Sequence, residues 1–557
     1  MPLIRLVVAL SLVGRLASAA AEVGSPDTAT ADPPVARPPT QPCVVQLFDD
    51  VAFADFSPKA FAYDPPSACP GPWAKVVFQA DFSVTAGRQF DRTASIWIGG
   101  TNVYFGTTQE PSRTVSPTWH VERDLTDYSA LLAGPQPGEA DLGNLVNDTF
   151  TGIISASASL QFYPLERRAA APRTADIVLP LSDRVTGGTV TLPTTDSRLA
   201  RTFDMPQNIE RAVLDVYAQS QASDEFWYTC VPDELGAQLQ SCGGTAFRET
   251  EITIDGEPAG VAPVYPWIFT GGIDPLLWRP IPGVQTLEFV PYRVDLTPFA
   301  AILSDGRPHE VALGVFNASD NFSVTAALLL YLDRASDHVT GDLVANTLAD
   351  APSPVIANDI ATAADGSISG SVSTTSSRSF TIAGFVDTSH GRVRTQVQQS
   401  IHFSNQQQFA INDVRYVQDI QQRTIIASLV TTEGRGVHSL VADTRRWPLD
   451  LRFEFVAAAD GSAVQTTAID QADELVSLAT RAGRPPLLTV LANAVAPGDT
   501  LQISAAGAIT GSTGQASSQR YFVADSDGHC YSRKIAAETG VVTAITDGQG
   551  CPAGVNR

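Results

Sequence analysis

Residues 90–100 read Phe-Asp-Arg-Thr-Ala-Ser-Ile-Trp-Ile-Gly-Gly, and residues 247–256 read Phe-Arg-Glu-Thr-Glu-Ile-Thr-Ile-Asp-Gly. Each is a short run of alternating character, with β-branched and aromatic side chains, that stops at Gly-Gly or Asp-Gly. This is the pattern of a strand running into a tight turn. A further echo follows each run: VERDLTDYSALL at 121–132 returns as YRVDLTPFAAIL at 292–303, sharing Asp-Leu-Thr-x-aromatic-x-x-aliphatic-Leu. A glycine-terminated strand followed by the same motif, twice, predicts two related units side by side. Helical spacing is scarce, with residues 470–482 the best candidate. The expectation is therefore an all-β chain: two adjacent antiparallel jelly-roll sandwiches, at 43–166 and 167–335, and an additional C-terminal β-rich domain at 336–557. Within the last, DGSISGSVSTTSSRS at 365–379 reads as a loop or an edge.

The 557 residues are enough for several such modules. The chain opens with a basic residue, Arg5, an apolar run from Leu6 to Val13 and a small-residue pattern at Ala17-Ser18-Ala19, so residues 1–19 are expected to be a signal peptide. Residues 20–42, rich in Pro, Thr, Ala and Asp, have the composition of a disordered leader. No later stretch reaches the roughly 18 apolar residues of a membrane span. The expected protein is soluble and secreted, to the periplasm or the outside medium, and a monomer. Lys and Arg number 36 against 59 Asp and Glu, for a net charge of −23, which argues against nucleic acid as a partner. An acidic surface repels itself less as its carboxylates protonate, so acidic working conditions fit the composition.

The six cysteines fall as three local pairs, Cys43 with Cys69, Cys230 with Cys242, and Cys530 with Cys551. In an exported chain these are expected to be short-loop disulfides. Cys-x-x-Cys pairs and ligand-spaced histidines are absent from the sequence, so no metal is expected, and no other cofactor.

Four stretches could carry chemistry. Gly87–Ala94 places Asp91 and Arg92 before a largely apolar strand, as a functional carboxylate at a loop end or as a surface ion pair steadying a hairpin. Leu145–Gly152 places Asp148 and Phe150 before another strand, where an Asx turn would use the same residue types. Asp224-Glu225-Phe226-Trp227-Tyr228, followed by Phe247-Arg248-Glu249, mixes acids, Arg and aromatics as a sugar cleft does, or as a buried aromatic core with flanking acids does. Phe269–Pro280 is a glycine-containing stretch with Trp278-Arg279 that could line a pocket or form an Ω-loop. A Gly-x-Ser-x-Gly elbow, His-Glu-x-x-His and a phosphate-binding glycine loop are all absent from the sequence, which leaves carboxylate chemistry.

The motifs QFDRTASIWIGG, TTQEP, ERDLTDYSALL, NLVNDTFTG, DEFWY, FRETEITIDG, FTGGIDPLLWRP and VDLTPF occur in this order between Cys43 and Asp333. Together they closely resemble the peptide N-glycosidase A family of amidases, and YFVADSDGHCYSRK at 521–534 resembles its C-terminal region. More distantly, the same units resemble peptide N-glycosidases of the F type, whose two jelly rolls hold the active site in the groove between them. The resemblance implies hydrolysis of the bond between an asparagine side chain and the first GlcNAc of an N-linked glycan. The glycan would leave intact as a glycosylamine and Asn would become Asp.

It also implies roles. Asp91, Asp148 and Glu225 are the expected catalytic residues, and Arg92, Phe150, Asp224, Trp227, Arg248, Glu249, Trp278 and Arg279 the expected substrate-binding ones. F-type enzymes carry an acid in a Cys-flanked run where this chain has Gly243-Gly244-Thr245, so Glu225 or Glu249 would have to supply it, and Glu225 is preferred. The partners expected are N-linked glycopeptides and glycoproteins. A noncatalytic glycan-binding protein and a glycoside hydrolase with two carboxylates are the competing readings.

Overall fold

The Gly-Gly and Asp-Gly stops are hairpin turns. In the computed structural model, which describes residues 21–552, Thr93–Ile98 pairs with Thr101–Thr107 across Gly99 and Gly100, both at positive φ (56° and 79°). Glu249–Ile254 pairs with Glu257–Pro263 across Asp255 and Gly256, again both positive (52° and 84°). Two left-handed residues give a turn whose twist matches that of the flanking strands, which is why glycine is favoured there.

The repeated Asp-Leu-Thr motif is a strand terminator. Asp124 Oδ1 accepts the Thr126 N–H at 3.0 Å, and Asp295 Oδ1 accepts that of Thr297 at 2.9 Å. Each carboxylate thus turns the chain out of its strand into a single 3-10 turn, Thr126–Tyr128 or Thr297–Phe299, whose aromatic residue is buried.

The first unit is two four-stranded sheets. One runs Cys43–Phe53, Ile154–Pro164, Trp73–Val84, Thr118–Asp124, and the other Lys59–Tyr63, Gln136–Asp141, Thr93–Ile98, Thr101–Thr107. Phe78, Leu160 and Phe162 from one sheet and Ile96 and Ile98 from the other share its core. In the second unit a five-stranded sheet centred on Ile209–Gln221 and Asn321–Leu332 accompanies a four-stranded sheet, Leu199–Asp204, Pro308–Phe316, Glu249–Ile254, Glu257–Pro263. The hairpin at 93–107 is buried on both faces because the second unit packs against it, with Phe105 edge-on to Tyr217 at 5.5 Å. The two echo motifs meet at the same boundary. Arg293 pairs with Asp215 (2.7 Å) and Asp127 (2.7 Å), and the Tyr128 hydroxyl donates to Asp215 at 2.6 Å.

The C-terminal region is one thirteen-stranded antiparallel sheet whose long strands are Ile368–Thr388, Gly391–Ile411, Arg415–Gly434, Val437–Ala457 and Ala463–Arg481. Two expectations are corrected here. Residues 470–481 lie in the last of these strands, because pairing with both neighbours outweighs a weak helical periodicity. The stretch 365–379 is largely interior strand from Ile368 onward, in unbroken register with Gly391–Ile411, its small side chains suiting a long pleated surface. Among the described residues no helix is long and apolar enough to cross a membrane.

The leader also differs from expectation. The Gly24 N–H donates to Val542 O (2.8 Å) and the Ala29 N–H to Pro280 O (3.0 Å). Asp32 accepts from Asn493 (2.9 Å) and Gln519 (3.0 Å), while Arg37 pairs with Glu122 (2.6 Å). A proline-rich segment that cannot pair with itself is held extended by partners distant in sequence. The three disulfides form as paired above. The expected signal peptide, residues 1–19, lies outside the described residues.

Asp215→Ala should cost roughly 3 kcal/mol of stability by leaving Arg293 and the Tyr128 hydroxyl without their buried acceptor. Calorimetry showing an unchanged Tm would remove this network from the contacts that join the two units.

Candidate active site

Asp91 ends the loop that leads into Thr93–Ile98. The Arg92 N–H donates to Thr108 Oγ1 at 2.9 Å, the Thr108 N–H returns to Arg92 O at 2.9 Å, and the Asp91 N–H points at Glu110 Oε1 at 3.4 Å. Asp91 and Glu110 are thereby set side by side at the end of one hairpin. Gln89, buried beneath them, donates to Leu145 O and Gly152 O and accepts from Arg92 Nη2 at 2.8 Å, so Arg92 is held by a neutral partner.

The second unit covers this pair with the loop 269–280. Thr270 Oγ1 donates to Thr108 O at 2.7 Å. A Cβ on Gly271 would stand 2.6 Å from Asp91 Oδ1 and 2.6 Å from Glu110 Oε1, so only glycine lets the backbone lie across both carboxylates. Arg279 Nη2 donates to Glu110 Oε2 (3.1 Å) and to Pro111 O (3.1 Å). Glu225 arrives from the turn after Ile209–Gln221, whose Gln219 and Gln221 both donate to Thr93 Oγ1 beside Asp91. Beyond Glu110 and Arg279 lies a cavity of about 420 Å³, walled by Thr28 of the leader, Ser112 and Val115 of the first unit, and Ser512 and Gln515 of the large sheet.

Burial pushes Asp91 up to about 6, against the opposing pull of Arg92 and the Gly271 N–H. Glu110 rises to about 7 through burial and the charge of Asp91, with Arg279 opposing. Glu225 rises to about 7 for the same two reasons, without a cation to offset them. Glu110 and Glu225 each feel the charge of Asp91, and carboxyls coupled in this way ionise in sequence, so that one can be a base while another still holds its proton.

The chain matches the sequence profile of the family described as peptide N-acetyl-beta-D-glucosaminyl asparaginase amidase A over residues 33–349. It belongs to that family. A relative from Prunus dulcis, named peptide-N4-(N-acetyl-beta-glucosaminyl)asparagine amidase A, is 31% identical over 459 residues, covering 78% of this chain and 79% of its own. Solved structures of PNGF-II and of PNGase F from Flavobacterium meningosepticum show weaker likeness. The first has a TM-score of 0.37 at 12% identity, over 52% of this chain and 65% of its own, and the second 0.35 at 12%, over 52% and 96%.

The amidase A match spans every residue of the acid cluster. Of the residues singled out in the sequence, Asp91 and Arg92 lie beside Glu110, Arg279 bonds its other oxygen, and Glu225 is near enough to feel the charge of Asp91. Phe150 lies at the rim of the cleft, packed on Phe90 at 5.2 Å with Arg88 over both rings. Asp148 is exposed, in a turn where Asn147 Oδ1 accepts the Thr149 and Phe150 N–H groups, so the stretch forms an Asx turn.

The other expected binding residues sit in the interior. Asp224 and Arg248 are a fully buried pair (2.9 Å), and Asp224 also accepts the N–H groups of Ser319, Asp320 and Asn321. Glu249 is buried against Arg378. Trp227 packs with Tyr228 and Phe403, and Trp278 donates to Gly272 O at 2.9 Å, bracing the loop from behind. Glu249 and Trp227 lie at the contact between the second unit and the large sheet, whereas Asp224 and Arg248 pair within the second unit. Glu110 was not among the expected site residues, although it stands in TTQEP, and only the fold reveals it beside Asp91.

The raised acids set how stability varies with pH. Besides the three in the cleft, burial lifts Asp274 to about 6, Glu249 to about 7 and Glu288 to about 8. Each holds its proton to higher pH when folded than when unfolded, so its stabilisation is full below the ordinary carboxylate range and is lost as pH rises toward about 8. Tm should therefore fall from pH 5 to pH 8, and Glu225→Gln should flatten that fall. A Tm that rises over this interval would contradict the assignment.

Proposed function

We propose that the chain is a peptide-N4-(N-acetyl-β-glucosaminyl)asparagine amidase that acts on N-linked glycopeptides and glycoproteins as a secreted monomer. The reading is carried by Asp91, with Glu110 and Glu225 coupled to it in a cleft between two sandwiches, on a chain that belongs to the amidase A family. Three disulfides support an oxidising compartment outside the cytoplasm.

The reaction needs water at the amide carbon and a proton at the departing nitrogen. Asp91, the first of the three acids to ionise, accepts a proton from water as the oxygen adds to the side-chain carbonyl. The carbonyl oxygen gains negative charge, which the guanidinium groups of Arg92 and Arg279 at the cleft offset. Glu225, still protonated when Asp91 is charged, gives its proton to the nitrogen as the C–N bond breaks. The products are the intact glycan as a glycosylamine and an aspartate in the peptide. Glu110 carries the second held proton, and its pairing with Arg279 keeps that guanidinium at the carboxylate pair.

Mass spectrometry of a defined N-glycopeptide should show the whole glycan released and the former Asn about one mass unit heavier than the unglycosylated peptide. A peptide left bearing one GlcNAc would identify a glycoside hydrolase instead, and unchanged substrate that is still bound would identify a glycan-binding protein. Asp91→Asn should lower kcat by at least 10²-fold, and Glu225→Gln should lower it by a similar factor. Either variant at wild-type rate would remove that residue from the chemistry. Gly271→Ala, which forces a methyl between two carboxylates, should lower kcat while leaving Tm within a few degrees of wild type.

A further inference from the structure

The loop that carries Gly271 and Arg279 has almost no regular secondary structure, so its carbonyls must find partners elsewhere. Ile273, Leu276 and Arg279 find theirs in the amide side chains of the large C-terminal sheet. Gln515, 6% exposed, donates both Nε2 hydrogens, to Leu276 O at 3.1 Å and to Arg279 O at 2.8 Å, and its Oε1 accepts the Gly540 N–H at 2.6 Å. Gln465 donates to Ile273 O at 3.2 Å, and Gln471 to Pro266 O at 2.6 Å. The turn that follows Glu225 is held the same way: Asn405 donates to Tyr228 O (2.9 Å), Gln418 to Thr229 O (2.9 Å) and Gln407 to Cys230 O (2.8 Å).

We propose that the C-terminal sheet is the positioning scaffold of the active site, and that Gln515 is the positioning residue that sets Arg279 on Glu110. The proposal rests on the amidase reading for its kinetic consequence but not for its geometry. The loop is gripped from both sides, by sheet amides on one and by Glu110 and Asp91 on the other. Amides suit this role where lysine or arginine would not. They supply donors without adding positive charge near three carboxyls whose raised pKa values the chemistry uses. Both Nε2 hydrogens of Gln515 are committed to loop carbonyls, so its influence on the site passes through the backbone at Arg279.

The test compares Gln515→Met and Gln465→Met, which keep side-chain length and lose the donors, with Gln502→Met on the same sheet. The Gln502 amide reaches only Thr500 O and Thr513 Oγ1. Gln515→Met should lower kcat about tenfold to a hundredfold with little change in KM, because a small displacement of a positioned group costs that much. Gln465→Met should lower kcat less, and Gln502→Met should not change it. In Gln515→Met the Arg279 guanidinium no longer sits as close to Glu110, so Glu110 should hold its proton to higher pH.

Carboxyl-carbon NMR titration of Glu110, assigned by its loss in Glu110→Gln, reads the same contact with or without turnover. An upward shift in Gln515→Met supports the proposal, and an unchanged titration overturns it. Wild-type kcat in folded Gln515→Met and Gln465→Met would also overturn it. Should Gln515→Met not fold, Gln465→Met, which at a half-buried position loses one bond to the loop and one to Thr467, decides alone. A wild-type protein that releases no glycan refutes the amidase reading and leaves the NMR result to judge the scaffold.

Discussion

The contact between the two sandwiches governs the arrangement of the site. Its polar part is Asp215 with Arg293 and Tyr128, its apolar part the stack of Phe105, Tyr217 and Phe289, and both lie against the hairpin at 93–107. That hairpin ends at Asp91 on one strand and leads to Glu110 on the other. A rigid join at its middle therefore fixes two carboxyls against a loop that belongs to the other unit. The echo motifs explain how one sequence makes such a join. Each copy uses its Asp to end a strand, and the residues beside the two motifs, Asp127 and Arg293, pair across the boundary.

Grouping three acids in one cleft is unfavourable once they ionise, and the surroundings moderate this without abolishing it. Arg279 opposes the charge on Glu110, Arg92 that on Asp91, and Glu225 has no comparable partner. The cluster thus holds protons into a range where isolated carboxyls would have lost them, which is the condition acid–base chemistry requires. A surface carrying an excess of Asp and Glu over Lys and Arg acts in the same direction, since its self-repulsion falls in acid.

The sandwiches were legible because their turns are written in glycine and their strands in alternating apolar residues. The sheet of amides was less so. A strand such as Gly391–Ile411 buries Asn405 and Gln407 where an apolar residue would be expected, and nothing local says that these amides will meet carbonyls at Tyr228 and Cys230. The leader failed as a prediction for the same reason: Ala31 finds its acceptor at Gln519, 488 positions away. At the site, Asp91 and Arg92 stand before a strand, where the residues alone read rather as a surface ion pair, and it was the family resemblance that singled them out. DEFWY divided, its Glu225 reaching the cleft while Asp224 and Trp227 went inward, because consecutive residues in a turn point to opposite sides. Glu110 carried no distinguishing local pattern, and its role comes from the hairpin that sets it opposite Asp91.

The leader has a bearing on when the molecule becomes complete. Residues 24–37 run over strands near the far end of the chain, over Pro280 of the loop that bears Arg279, and over Glu122 of the first sandwich. Contacts so distant in sequence form late, after shorter loops have closed. Thr28 walls the cavity together with Thr539, Gly540 and Val541. The first stretch of the described chain therefore finds its seat only after the strands it crosses have been made and paired, and the cavity beside Glu110 gains its final wall as residues 26–28 meet residues 539–541.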